Sequence, residues 1–468
     1  MNTAPVTTAQ LHRSLGALLG LAVGDALGAP FEFGPAGQWS TRFPEPVRGG
    51  TGEMIGGGCG WKPGEFTDDT QMALALAESL ITHDRLDLDD VWDRFRAWAT
   101  EAKDVGNITR AALSHADRHG AAEAAHQRLG RSAGNGSLMR VLPLSLAFLN
   151  ADIETLMRAA CEQSALTHAD PAAGWGAAVY AELVRRTIVG DSPFEQIDAI
   201  LAEVPEPADG LFKELLDPRW HPDRGGPGNG SVWGCLAQAV WAVRTTSTFE
   251  QAVAVAIELG DDTDTVAAVA GGLAGSIYDI QSIPSRWLTY VNGTVATPRG
   301  TQRYDNAALQ DTARKLLRLQ PALPTPVESP AGPTQVAPGL YAADLGGAAT
   351  SPTDWAVLSL CRTDNRFANH PARREMFIID REGRNSNLFA ALGDAVDTID
   401  AWHKEGRTVV VHCHGGRSRT GLVLKAWAMR SLSMNEREAH DWLARQWERY
   451  EDYSHDFRNI LRNEWSLE

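Results

Sequence analysis

Cysteine, basic surplus, long apolar runs and internal repeats are what this 468-residue chain has little of. The five cysteines (Cys59, Cys161, Cys235, Cys361, Cys413) are scattered and odd in number. That excludes a disulfide framework and suits a reducing, cytoplasmic setting. With 43 Lys/Arg against 59 Asp/Glu the formal charge is −16, so bulk electrostatic binding of nucleic acid is disfavoured. No apolar run approaches the roughly 20 residues that span a bilayer, so no membrane association is expected. The opening MNTAPVTTAQLHR lacks a basic stretch followed by an apolar one, the pattern of a signal peptide. Hydrophobic residues at 43% and charged residues at 22% are globular values, which excludes a disordered or collagen-like chain.

What is present divides in two. Residues 321–338, PALPTPVESPAGPTQVAP, hold six prolines in 18 residues. Proline at that density supports neither helix nor central strand, which predicts an extended linker, placed at 321–336. From residue 337 on there are 17 Lys/Arg and 19 Asp/Glu, against 26 and 40 before it, so the acidity lies almost wholly in the first part. Residues 1–320 read as an all-α domain. Their long Ala/Leu segments (10–28, 69–81, 174–189, 233–243, 265–277) favour helix and close helix packing, and no alternating strand pattern appears before residue 336. Residues 337–468 read as a small α/β domain. Short β-branched runs at 354–361, 376–380 and 408–413 alternate with helical patterns at 387–406, 420–432 and 434–450. That order predicts a mainly parallel sheet.

Two acidic clusters precede helical segments in the first part: Thr67-Asp68-Asp69-Thr70 and Asp261-Asp262-Thr263-Asp264-Thr265. Each reads alone as a helix cap, because Thr and Asp accept bonds from free N–H groups at a helix start. Two such clusters in one helical domain ask for more, since adjacent carboxylates repel unless a cation lies between them. Asp and Thr oxygens without cysteine or paired histidine favour a hard ion, Mg²⁺ or Mn²⁺, and each triplet would supply one side of a two-metal cage. Gly134-Asn135-Gly136-Ser137 reads as a turn opening a helix, with N–H groups suited to a diphosphate. Alone it is a turn or a cap, as His168 alone is a core or surface histidine. Gly225–Gly230 reads as a loop.

Five blocks in this order carry a resemblance: Gly16–Phe33, Phe66–Thr70, Gly134–Arg140, Thr167-His168 with Asp170-Pro171, and Leu259–Thr265 through Gly271–Gly275 to Ile283-Pro284 and Trp287. Residues 1–320 resemble the ADP-ribosylglycohydrolase family. The resemblance implies an all-α fold whose two-metal site cleaves the bond between ADP-ribose and a protein side chain. It places two divalent cations, Mg²⁺ or Mn²⁺, on Thr67, Asp68, Asp69, Asp262, Asp264 and Thr265. It places Glu32 at the mouth of the site, and Asn135, Gly136, Ser137 and His168 along the ADP-ribose cleft.

The sharpest motif is His412-Cys413-His414-Gly415-Gly416-Arg417-Ser418-Arg419-Thr420-Gly421. A strand ending at Cys413, a loop with two glycines and a helix starting near Thr420 make an anion nest of backbone N–H groups. The same field lowers a thiol pKa, and Arg419 can hold a phosphoryl group through two parallel bonds. The other four cysteines read as buried and structural. This run resembles the cysteine-dependent protein tyrosine and dual-specificity phosphatases, over about residues 337–468. The resemblance implies Cys413 as nucleophile, Arg419 and the loop His414, Gly415, Gly416, Arg417, Ser418 as phosphate cradle, and Thr420 as the hydroxyl easing thiolate departure. It implies Asp380, 33 residues before Cys413, as general acid. Asp394, Asp397 and Asp400 read as a solvated helix face. The phosphatase domain needs no cofactor.

The leading reading is a multidomain, bifunctional hydrolase. Its partners are an ADP-ribosylated protein or an ADP-ribose-containing small molecule, and a phosphorylated protein or small-molecule phosphomonoester. The alternatives are action on free or phosphorylated ADP-ribose derivatives or on ADP-ribosylated nucleic acid, or an ADP-ribose-binding module with only the phosphatase active.

Overall fold

The computed structural model describes residues 5–206, 208–320 and 332–465. These fall within two compact units. The first is drawn from Met1–Glu45, Glu53–Ile283 and Tyr290–Pro321, the second from Pro46–Gly52, Pro284–Thr289 and Ala322–Glu468. Two stretches from within the first 320 residues therefore belong to the second unit. Of the proline-rich linker, residues 321–331 lie outside the described residues.

The first unit is built around an antiparallel helix pair, Thr8–Gly28 and Thr263–Tyr278. Glycines at 16, 20, 24 and 28 recur every four residues, one face of a helix, and let the two backbones touch. A Cβ on Gly24 would lie 2.0 Å from the Ala267 carbonyl oxygen, and one on Gly28 would lie 2.4 Å from the Asp264 Cα. The end of the first helix is thereby pinned to the start of the second, where the acidic residues sit. Gly24→Ala is expected to force the pair apart and lower stability by about 1–3 kcal/mol or more, the range for overpacking, because the obstacle is backbone. Scanning calorimetry of the full chain measures this. By length and composition Thr8–Phe31 is apolar enough to cross a membrane, which corrects the expectation from apolar runs; 94% of its most apolar window is buried inside the protein.

The helical fold expected for the first part is found, with one addition. Asn292–Thr297 (β1) and Gly300–Asp305 (β2) form an antiparallel hairpin. Its polar sequence and Pro298 hide it from a strand reading. The hairpin fixes the approach to the first acidic cluster: the Asn292 N–H donates to the Gly64 carbonyl at 2.8 Å and the Phe66 N–H to the Asn292 carbonyl at 3.0 Å.

The second unit holds a five-stranded sheet in the order β3-β4-β7-β5-β6. The strands are Thr334–Ala337, Leu340–Asp344, Ala356–Ser359, Arg373–Glu375 and Val409–Cys413 for β3 to β7. All neighbours are parallel except the edge pair β3–β4. Three details differ from the sequence expectation. β3 falls partly on residues read as linker, β4 was not foreseen, and the apolar run 376–380 follows β6 instead of forming a strand. The β4 residues Leu340, Ala342 and Ala343 are small or singly apolar, so the run is too mixed to show. Helices Leu388–Lys404, Ser418–Ser431, Glu436–Gln446 and His455–Asn463 accompany the sheet. Leu358, Val409, Val411, Ile399, Trp402, Leu424 and Leu443 make the core, and all are buried.

Candidate active sites

The first cluster opens the Asp68–His83 helix and the second opens the Thr263–Tyr278 helix, so the two triplets face each other across two helix starts. Ligand oxygens of Asp68, Asp69 and Asp264 lie within 4.8 Å of one another. The Thr67 hydroxyl reaches Asp69 Oδ2 at 3.3 Å and Asp264 Oδ2 at 3.5 Å. Thr67, Asp69, Asp264 and Thr265 are all buried. Burial, and then the neighbouring carboxylates, push Asp68, Asp69 and Asp264 well above the usual carboxylate range. The buried Asp69 Oδ1 has no hydrogen-bond partner among the described residues. Three carboxylates crowded with their charges unopposed, one of them with an unbonded oxygen, are the donor set a hard divalent cation fits.

Asp262 is placed by residues from a distance. The Asn135 side-chain amide donates to Asp262 Oδ2 at 2.8 Å and to the Asn229 carbonyl at 3.0 Å. Asn229 Oδ1 accepts from the Asp262 N–H at 3.2 Å, while its own amide donates to the Gly260 carbonyl at 3.0 Å. Asn229 thus joins the Gly225–Gly230 loop to the acidic loop. Glycines surround it in the sequence, so only spatial neighbours reveal this role. Glu32 is half-buried beside the cluster. Burial first, and then the charges of Asp262, Asp104 and Asp25, push its carboxyl up to about 7.

The turn at residues 134–137 differs from a free anion nest. The Asn135 N–H donates to the Gly230 carbonyl at 3.3 Å, and the turn is a short 3₁₀ segment that does not run into a long helix. Ser137 is buried, accepting from the Ser164 hydroxyl at 2.8 Å and donating to the Ala173 carbonyl at 3.3 Å. His168 packs against Gly136, where an added Cβ would lie 3.2 Å from its ring. Its Nδ1 lies 2.8 Å from the Thr167 hydroxyl, and burial, then Arg140, lowers its pKa to about 3. Asn135 therefore meets the acidic centre, while Ser137 and His168 stand behind the turn.

In the second unit Cys413 ends β7 and is buried. The loop after it folds against the end of β4, where Asp344 pairs in register with Cys413. Gly416 has φ +58°, and a Cβ there would lie 2.6 Å from the Asp344 nitrogen, so this loop position requires glycine. The next helix starts at Ser418, so Arg419 and Thr420 sit in its first turn. Arg419 Nη1 donates to the Leu360 carbonyl at 3.0 Å and to the Ile378 carbonyl at 3.2 Å, which fixes the guanidinium plane. Arg419 Nε lies 3.8 Å from Asp380 Oδ2. Arg419 Nε, Asp380 Oδ1 and the Thr420 hydroxyl are buried without hydrogen-bond partners among the described residues. Two of these are donors, and buried donors left without a partner are what an oxyanion would satisfy.

Several residues near this site escaped the sequence reading because their role depends on a distant loop. Arg449 pairs with Asp344 at 2.8 Å and Glu451 with Arg417 at 2.6 Å. The Tyr453 hydroxyl is raised to about 12 by burial and then by its bond to Asp380. The cysteines also need correction: Cys235 and Cys361 are buried, but Cys161 is half-buried and Cys59 is exposed. Asp397 and Asp400 are ion-paired with Arg430 at 2.8 and 2.9 Å, so that helix face is tied down and not merely solvated.

Comparison with known proteins finds a family match for each part of the chain. The ADP-ribosylglycohydrolase family model matches residues 6–323, and that of the dual specificity phosphatase catalytic domain matches residues 356–460. The ADP-ribosyl-[dinitrogen reductase] glycohydrolase of Rhodospirillum rubrum is 34% identical over 283 residues, covering 59% of this chain and 89% of that protein. The ADP-ribosylarginine hydrolase Tri1 of Serratia proteamaculans is 32% identical over 304 residues, covering 62% of this chain and 78% of its own. A solved ADP-ribosylglycohydrolase-related protein complex is 34% identical, covers 67% of this chain and 99% of that one, and has a TM-score of 0.53. The protein is a hydrolase that joins a helical glycohydrolase domain to a small α/β domain of the dual-specificity phosphatase type. The chain belongs to the ADP-ribosylglycohydrolase family.

Proposed function

We propose that the first domain removes ADP-ribose from a modified protein side chain, with arginine the leading linkage, and that it requires two divalent cations, Mg²⁺ or Mn²⁺. The observation carrying this is the convergence of Asp68, Asp69 and Asp264 oxygens within 4.8 Å. The arginine linkage is supported by the named activity of the Serratia relative. Thr67, Asp68, Asp69, Asp262, Asp264 and Thr265 would hold the cations, which when bound supply positive charge against the ribose and its leaving group. Glu32, half-buried beside the cluster, would carry a proton to or from the reacting centre. Asn135 keeps Asp262 in place. The test is a panel of arginine-, serine- and nucleobase-linked ADP-ribosyl substrates, each assayed with and without chelator. Release from arginine alone, lost in chelator, supports the reading; equal release in chelator overturns it.

The second domain, in the same proposal, hydrolyses phosphomonoesters through Cys413. The Cys413 thiolate attacks phosphorus while Asp380 gives its proton to the departing oxygen, leaving a phosphocysteine and an alcohol. Water then attacks the phosphocysteine, Asp380 takes its proton, and phosphate leaves as the thiolate returns with the Thr420 hydroxyl donating to it. Arg419, anchored by two carbonyls, offers its remaining N–H groups to the phosphoryl oxygens. Asp380→Asn is expected to slow turnover by about 10²-fold or more for alkyl phosphates, the size of a general-acid contribution, and much less for aryl phosphates with acidic leaving groups. Steady-state kinetics over a leaving-group series measures this. The location is proposed as cytoplasmic, on the scattered free cysteines.

A further inference from the structure

Helices in the first unit commonly cap themselves. Thr7, Asp87, Asp152, Thr248 and Asp305 each accept a bond from a backbone N–H of the helix they begin. The Asp68–His83 helix does not: its N-cap residue Thr67 makes no side-chain cap bond. The cap comes instead from Asp25, on the Thr8–Gly28 helix. Asp25 Oδ1 accepts from the Thr67 N–H at 2.8 Å. Asp25 Oδ2 accepts from the Thr70 N–H at 3.0 Å and the Thr70 hydroxyl at 2.6 Å. Asp25 is fully buried, and its neighbour Gly24 lies in the close contact between the two central helices. The Thr67 hydroxyl is left to face Asp69 and Asp264, and Asp69 Oδ1 is left unbonded.

We infer that Asp25 is a positioning residue for the acidic centre. It supplies from another helix the cap that Thr67 and Asp68 would otherwise make, so that Thr67, Asp68 and Asp69 turn their oxygens toward the cation. This rests on the reading that the centre binds a divalent ion. Both carboxylate oxygens of Asp25 act as acceptors, so an amide of the same shape is no substitute: its NH₂ would face an N–H group.

Mn²⁺ titration of the full chain by calorimetry tests this, alongside thermal unfolding in chelator. Asp25→Asn is expected to lower Mn²⁺ affinity at least tenfold. Thr248→Ala removes the cap of a helix that bears none of the candidate ligands. It is expected to lower the unfolding temperature in chelator with Mn²⁺ affinity unchanged. If Asp25→Asn does not fold, Thr70→Val, nearly isosteric, deletes one bond to Asp25 and is expected to lower affinity several-fold. Wild-type Mn²⁺ affinity in Asp25→Asn, or in Thr70→Val where that variant is the one measured, overturns the inference. A wild-type chain that binds no Mn²⁺ overturns the metal reading itself, a different and separable result.

Discussion

Cys413→Ser is expected to abolish phosphomonoester hydrolysis by the full chain, by roughly 10⁵-fold or more, the scale on which removal of a catalytic nucleophile acts. The serine hydroxyl fits the space but is a much weaker nucleophile toward phosphorus than sulfur. Cys413 lies at the end of β7, and residues 414–417 lead from it into the Ser418–Ser431 helix. Arg419→Lys should be nearly as severe, because a lysine cannot both satisfy the Leu360 and Ile378 carbonyls and present a planar pair of donors. Chelator should leave wild-type phosphatase turnover unchanged, since no step of the thiolate route uses a metal. Release of p-nitrophenol measures all three, and ADP-ribosyl release by Cys413→Ser should match wild type. Residual Cys413→Ser turnover within tenfold of wild type would assign the nucleophile elsewhere.

What could be read from the sequence was what is contiguous. Five residues separate Cys413 from Arg419, so one loop carries the cradle and the motif shows it. The same holds for Thr67-Asp68-Asp69 and for Asp262-Thr263-Asp264-Thr265, each compressed into one helix start. The long Ala/Leu helices showed because packing of small residues leaves an unbroken helical pattern. The roles of Asp25, Asn229 and Tyr453 did not show, because each is defined by a partner tens of residues away. Asp25 stood inside a recognisable block, yet its three bonds run to Thr67 and Thr70. The hairpin 292–305 was hidden by polar strands, only two of whose residues, Val295 and Tyr304, carry large buried side chains. Gly134–Ser137 was legible as a turn but not as one whose Asn135 N–H is already bonded.

Asp264→Asn is expected to abolish release of ADP-ribose, by roughly 10³-fold or more, and to raise the stability of the metal-free protein at the same time. The two effects have one cause. Asp264 is buried beside Asp69 and within reach of the Thr67 hydroxyl, and both burial and its carboxylate neighbours disfavour its charge. Without a cation that crowding opposes folding, so a neutral amide of the same shape relieves it by an amount on the order of 1–2 kcal/mol. With a cation the order reverses. The wild-type cluster gains the free energy of binding, which an amide with one fewer charge largely forgoes, and ligand binding to the native state alone raises its unfolding temperature. Calorimetric scans of both proteins in chelator and in saturating Mn²⁺ should therefore cross: Asp264→Asn unfolds later in chelator, wild type later in Mn²⁺. Activity alone does not distinguish a lost ligand from a damaged fold, whereas the crossing does. A variant less stable than wild type under both conditions would mean that Asp264 serves the fold through hydrogen bonds, such as the one its Oδ1 accepts from the Thr265 N–H at 2.9 Å, more than it serves a cation.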